Sequence, residues 1–103
     1  MYKLSYFVPK EAKEKTKEAL FYAGAGKFNN YDCCCFESEG TGQFRALNGA
    51  NPYIGTIDKI EYVKEYKVEM ICEDALIKKA IEALKEAHPY EEVAYEVIKL
   101  EAF

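Results

Sequence analysis

Apolar and polar positions along the chain fall into six periodic blocks. Tyr2 to Val8 (YKLSYFV) alternates loosely, is rich in aromatics and stops at Pro9, which has no N–H for a sheet ladder, so it predicts a first strand. From Lys10 to Ala23 the residues Ala12, Thr16, Ala19, Leu20 and Ala23 recur at three- and four-residue spacing, with Lys13, Glu14, Lys17 and Glu18 on the wet face. This predicts a helix opened by Pro9 and capped near Gly24. Cys33 to Glu39 (CCCFESE) reads as a second strand between Asn29-Asn30 and the Gly40-Thr41-Gly42 step. A long strand lies within Ile57 to Cys72, where Tyr66, Val68, Met70 and Cys72 share one face opposite Lys67, Glu69 and Ile71. It is expected to pair antiparallel with the second strand. Glu73-Asp74 put acidic residues at the start of a second helix striped by Leu76, Ile77, Ala80, Ile81, Leu84 and Ala87 and ended by His88-Pro89. Val93 to Leu100 (VAYEVIKL) completes the pattern as a last strand.

The order strand, helix, strand, strand, helix, strand predicts an α+β, ferredoxin-like βαββαβ fold, a four-stranded antiparallel sheet with both helices on one face. Residues 1–103 are expected to form a single domain, since this length leaves no room for a second core. Between the second and third strands, Gly40 to Gly55 holds four glycines with Asn48, Asn51 and Pro52, and reads as a long irregular connection of the kind that carries function or assembly contacts.

Charge narrows the range of partners. Fourteen Lys and Arg against eighteen Asp and Glu give a formal net charge of -4 with the signs interleaved, so no basic stripe exists to displace phosphate counterions and nucleic acid is not an expected partner. No apolar run approaches the roughly 18 residues that span a bilayer, and the chain enters structure at Tyr2, so a cytoplasmic protein without membrane contact is expected. Four cysteines, three of them consecutive, make no disulfide framework. Cys33, Cys34, Cys35 and Cys72 are expected as reduced structural thiols, Cys33 and Cys35 on one strand face and Cys72 packed from the facing strand, the alternative for the run being a metal or redox site beside Asp32. Nine tyrosines and six phenylalanines supply large interfacial area for a domain that is marginal alone. With Tyr62, Tyr66, Ile71, Tyr95 and Ile98 among charges on the open face and edges, closure into a homotrimer is expected.

Few residues bear chemistry. His88 is the only histidine, read either as a protonated helix stop that suits the negative end of the dipole or as part of a cleft wall. Glu39 to Arg45 could offer backbone N–H groups and Arg45 to an anion, or form a bulged strand end. Glu91-Glu92 could be paired carboxylates or a solvated strand start.

Asn30-Tyr31-Asp32-x-Cys34, Gly40-x-Gly42-x-Phe44-Arg45, Gly49-Ala50-Asn51-Pro52-x-Ile54-Gly55 and His88-Pro89-Tyr90-Glu91 together resemble the YqfO-type domain, a relative of the CutA and PII proteins, over nearly the whole chain. The opening Tyr2-Lys3-Leu4 and Phe7-Val8-Pro9 agree with it. In the larger Nif-three-like proteins, known as dinuclear-metal or GTP cyclohydrolase type 2 homologues, such a domain is inserted between halves that supply the metal ligands. The resemblance implies a standalone CutA/PII-like module, a trimeric tendency, and clefts between subunits lined at positions Gly40, Gly42, Phe44, Arg45, Asn51, His88, Tyr90 and Glu91. With one histidine, the chain is expected to hold no catalytic residue, resident metal or cofactor. The leading expectation is an oligomeric binding or regulatory module that meets a small molecule or a protein. Its rivals are a hydrolase or cyclohydrolase-like site built from His88, Glu91 and an intersubunit Arg45, and a divalent-metal or copper-tolerance binder using Asp32, Cys34, His88 or Glu91.

Overall fold

A computed structural model describes residues 1–103. Strand β1 (Tyr2–Pro9) leads into helix α1 (Lys10–Tyr22), followed by β2 (Phe36–Arg45), β3 (Ile60–Cys72), a single 3₁₀ turn (Asp74–Leu76), α2 (Ile77–Ala87) and β4 (Tyr95–Lys99). The strands form one antiparallel sheet in the order β2-β3-β1-β4, and both helices cover one of its faces. The predicted α+β, ferredoxin-like architecture is therefore the observed one.

The core follows from the strand alternation. Leu4, Tyr6 and Val8 of β1 lie beside Met70 and Val68 of β3, and on this face they meet Ala12 and Leu20 from α1 and Ile77, Ala80 and Leu84 from α2, all buried. Tyr6 carries its hydroxyl into this apolar layer, where it bonds Thr16 Oγ1 at 2.9 Å, and Thr16 itself donates to the carbonyls of Ala12 and Lys13. No buried side-chain polar atom is left without a partner. At the end of α1, Gly24 adopts φ +102 and Gly26 φ +72, left-handed values that release the chain from the helix, as the sequence suggests.

The second strand departs from expectation. It begins at Phe36 and runs to Arg45, so the cysteine run precedes it and Gly40-Thr41-Gly42 lies inside it, paired with Glu65, Lys64 and Val63. Cys33 takes φ +55, a left-handed turn that no strand can contain, and its side chain is exposed while Cys34 and Cys35 are half-buried. Only Cys72 is a core thiol. Burial pushes the Cys35 and Cys72 thiols above their ordinary range. The irregular connection is shortened to residues 46–59. The second helix starts later than Glu73 because a 3₁₀ turn intervenes, and the last strand starts at Tyr95, two residues after Val93.

Three of the side chains assigned to the open face and edges also belong elsewhere, Tyr62 among them, exposed on the helix side of β3. Tyr66 aligns with Val68 and Met70 under the helices, where Lys13 Nζ sits 4.2 Å from its ring centroid, and Tyr95 packs against the core beside Tyr6. The open face instead carries Phe7, Phe44, Ile71 and Ile98 among charged neighbours. Beyond the reach of the helices, β2 and β3 continue as a projecting hairpin, which stretches the molecule to 46 × 25 × 24 Å.

Candidate functional site

At the root of this hairpin the open face becomes concave. Phe7 from β1, Gly42 and Phe44 from β2 and Glu65 from β3 all point to that side by register. The 46–59 connection rises over them with Leu47, Pro52, Tyr53 and Ile54, and the α2-to-β4 corner closes the opposite wall with Tyr90, Glu91, Glu92 and Ala94. The cavity between them, open to solvent on one side, measures about 570 Å³, within the range of small-ligand sites, and its wall is mostly apolar.

Three interactions hold the walls together. The Tyr90 hydroxyl donates to Glu65 Oε2 at 3.0 Å, tying the corner to β3. The Asn51 backbone N–H donates to Glu91 Oε1 at 2.9 Å, tying the connection to the corner. His88 anchors the corner from behind: its Nε2–H donates to the Phe7 carbonyl at 2.8 Å, and Nδ1 accepts the Tyr90 N–H at 3.1 Å. His88 also packs edge-on against the Tyr90 ring, with centroids 4.8 Å apart. Both ring nitrogens are engaged in the neutral state, and burial holds the imidazole below its ordinary pKa. The reading of a protonated helix stop is thereby corrected. His88 does end α2, but as a buried neutral group that positions Tyr90.

Gly42 explains how Glu65 fits. A Cβ at position 42 would overlap Oε1 of Glu65, so only glycine lets that carboxylate lie across β2. Burial and the adjacent Glu65 charge together raise the Tyr90 phenol well above its ordinary range, so its hydroxyl stays protonated and remains a donor.

Of the eight residues singled out by sequence, Gly42, Phe44, Arg45, Tyr90 and Glu91 line the cavity directly. Asn51 contributes through its main chain and His88 stands behind Tyr90. Gly40 lies outside, in a smaller neighbouring depression of about 260 Å³ with Ser38 and Lys67. Sequence reasoning missed Glu65, Tyr53 and Phe7. Glu65 was legible only as one of several alternating charges on β3, and its partners come from distant segments.

The donors named for a metal do not fit one. Asp32 and Cys34 belong to the turn before β2, whereas His88 and Glu91 belong to the corner after α2, and no three His, Cys, Asp or Glu side chains stand close enough together to hold a metal ion. A histidine whose two nitrogens already bond the main chain offers no lone pair to a cation.

The fold and the cavity together define a small α+β module with a CutA-like architecture. CutA1 from Pyrococcus horikoshii superposes with a TM-score of 0.73 over 100% of this chain and 86% of its own, at 21% identity. At higher identity, the Bacillus cereus protein related to NIF3 superposes with a TM-score of 0.85 at 42% identity, over 98% of this chain and 26% of that one. By sequence, the chain is 43% identical over 99 residues to the GTP cyclohydrolase 1 type 2 homolog of Bacillus subtilis (strain 168), covering 96% of this chain and 26% of the relative. The protein of that name from Halalkalibacterium halodurans is 43% identical over 100 residues, covering 97% of this chain and 27% of its own length. No family model matches the chain. The chain is thus a homologue of one segment of these NIF3-related proteins, spanning about a quarter of the length of the curated relatives it matches.

Proposed function

We propose that the chain is an oligomeric binding or regulatory module of CutA/PII type, one domain over residues 1–103, working in the cytoplasm without catalysis of its own. The cavity between the connection and the corner carries this reading, because it is sized for a small molecule and supported from behind by His88. Gly42, Phe44, Arg45, Tyr90 and Glu91 would meet the ligand, with Asn51 holding the wall. Self-association into a trimer is supported by the unpaired outer edges of β2 and β4 and by exposed Phe36, Tyr62 and Ile98. No helix is long and apolar enough to cross a membrane.

A hydrolytic reading, suggested by the name of the relatives, would need the remaining three-quarters of their length, since His88 has no free nitrogen with which to act as a base. Native mass spectrometry of the freshly isolated protein tests the proposal by reporting oligomer mass and any retained small molecule together. A trimer carrying a non-covalent small molecule supports both parts. Phe36→Asp, at an exposed position on the outer strand β2, is expected to weaken the trimer by tenfold or more, on the order of a lost aromatic anchor, without unfolding the subunit. A monomer at high concentration in light scattering would reject the assembly.

A further inference from the structure

The walls of the cavity combine aromatic rings and carboxylates without matching cations. Phe44 and Tyr53 flank Tyr90, their centroids 6.3 and 6.1 Å from its own and their planes tilted by 58° and 46°, so three rings turn different faces around one space. Glu65, Glu91 and Glu92 line the same space, and none of them forms an ion pair within the protein. The hydrogen bonds that Glu65 and Glu91 accept come from neutral donors, a phenol and a peptide N–H. Unpaired carboxylates occur over the rest of the surface too, but these three are gathered on the wall of one cavity, and no lysine reaches them as Lys13 and Lys17 reach Glu37, Lys64 reaches Glu39 and Lys3 reaches Glu69. Around the cavity the single cation is Arg45, set against three carboxylates.

A concave, largely apolar wall focuses such a field, and aromatic faces add their own attraction for positive charge. Glycine at position 42 is what lets the Glu65 carboxylate reach into this wall. We infer that the cavity binds an organic ammonium cation with an apolar body, the charge lying among Glu65, Glu91 and the ring of Tyr90 and the body against Phe44 and Tyr53. This inference rests on the binding reading above and adds the chemical class of the ligand.

The test is an amide-shift titration of the intact protein with three probes: choline, its neutral isostere 3,3-dimethylbutan-1-ol, and benzoate as an apolar anion. Choline should shift the amides of Gly42, Phe44 and Tyr90 and bind roughly tenfold tighter than the isostere. Gly42→Ala, which leaves every charge in place but displaces Glu65, and Glu65→Gln should each weaken choline about fivefold, while Arg45→Gln should tighten it about twofold. Amide dispersion outside the cavity monitors the fold of each variant. Equal binding of choline and the isostere, or a preference for benzoate abolished by Arg45→Gln, would overturn the ammonium assignment and leave the binding reading standing. If none of the probes moves these amides and no small molecule is retained in native mass spectrometry, both fall together.

Discussion

The two ends of β3 are built from the same alternating pattern and meet opposite fates. At its C-terminal end Val68, Met70 and Cys72 are buried beneath α1 and α2. At its N-terminal end Ile60 and Tyr62, in phase with them, are 51% and 65% exposed on the projecting hairpin. Alternation specifies which face a side chain takes; whether that face is covered depends on how far the helices extend. Thirteen residues of strand outrun helices of thirteen and eleven residues, because a strand rises about 3.3 Å per residue and a helix about 1.5 Å. The cavity forms at the root of this end on the opposite face of the sheet, which the helices never cover.

Breaking the covered end should have the largest effect. Leu20→Ala removes a fully buried side chain from between α1 and the sheet and should cost about 2–5 kcal/mol in urea unfolding, against less than about 0.5 kcal/mol for Tyr62→Ser on the hairpin. In the dissociated subunit at low concentration, similar losses at both positions would mean that the subunit itself covers the hairpin, whereas a larger loss at Tyr62 in the assembled protein alone would mark an assembly contact. A smaller cut in the covered half is Tyr6→Phe, which deletes the hydroxyl bonded to Thr16 and should lower stability by about 1 kcal/mol with little change of shape.

Acid should separate the regions next. The folded pKa of His88 is depressed, so its contribution is fully present above the unfolded value of 6.5 and is lost as pH falls below it toward the folded value. The carboxylates of Glu37, Glu39, Glu69 and Asp74, all held below their ordinary range by lysine or terminal amine partners, lose their contributions only at lower pH. Immediately below pH 6.5 the slope of stability with pH should therefore shrink in His88→Gln, and an unchanged slope would show that the corner opens to solvent. The mildest probe is thiol labelling of the native protein. Cys33 should react first, and Cys72 only as fast as the core unfolds.

The boundary between the two ends also divides what sequence alone could reveal. Periodicity located α1 and α2, with Ala12, Thr16, Leu20, Ile77, Ala80 and Leu84 all buried as their spacing implies. It failed at β2, where glycine suggested a break and cysteine suggested a strand. Gly40 and Gly42 sit within the ladder because pairing to the long β3 overrides their weak strand preference, and the thiols fall in a turn that Cys33 makes possible by its left-handed backbone. At the site, Tyr90, Glu91 and Phe44 were legible as motif residues. Glu65 was not, since the bond that recruits it joins positions 25 residues apart through a register no local pattern encodes.

One pairing has a topological consequence. Tyr2 lies opposite Lys99, and the Leu100 N–H bonds the Met1 carbonyl at 3.0 Å, so the chain enters and leaves the sheet on adjacent antiparallel strands at one place. Polypeptide arriving before β1 and departing after β4 passes through a doorway only one strand spacing, about 5 Å, wide. A loop of a larger protein could carry the whole βαββαβ unit across such a gap without being pried apart, and a short linker across it would permit circular permutation with new ends opened at Asn29-Asn30.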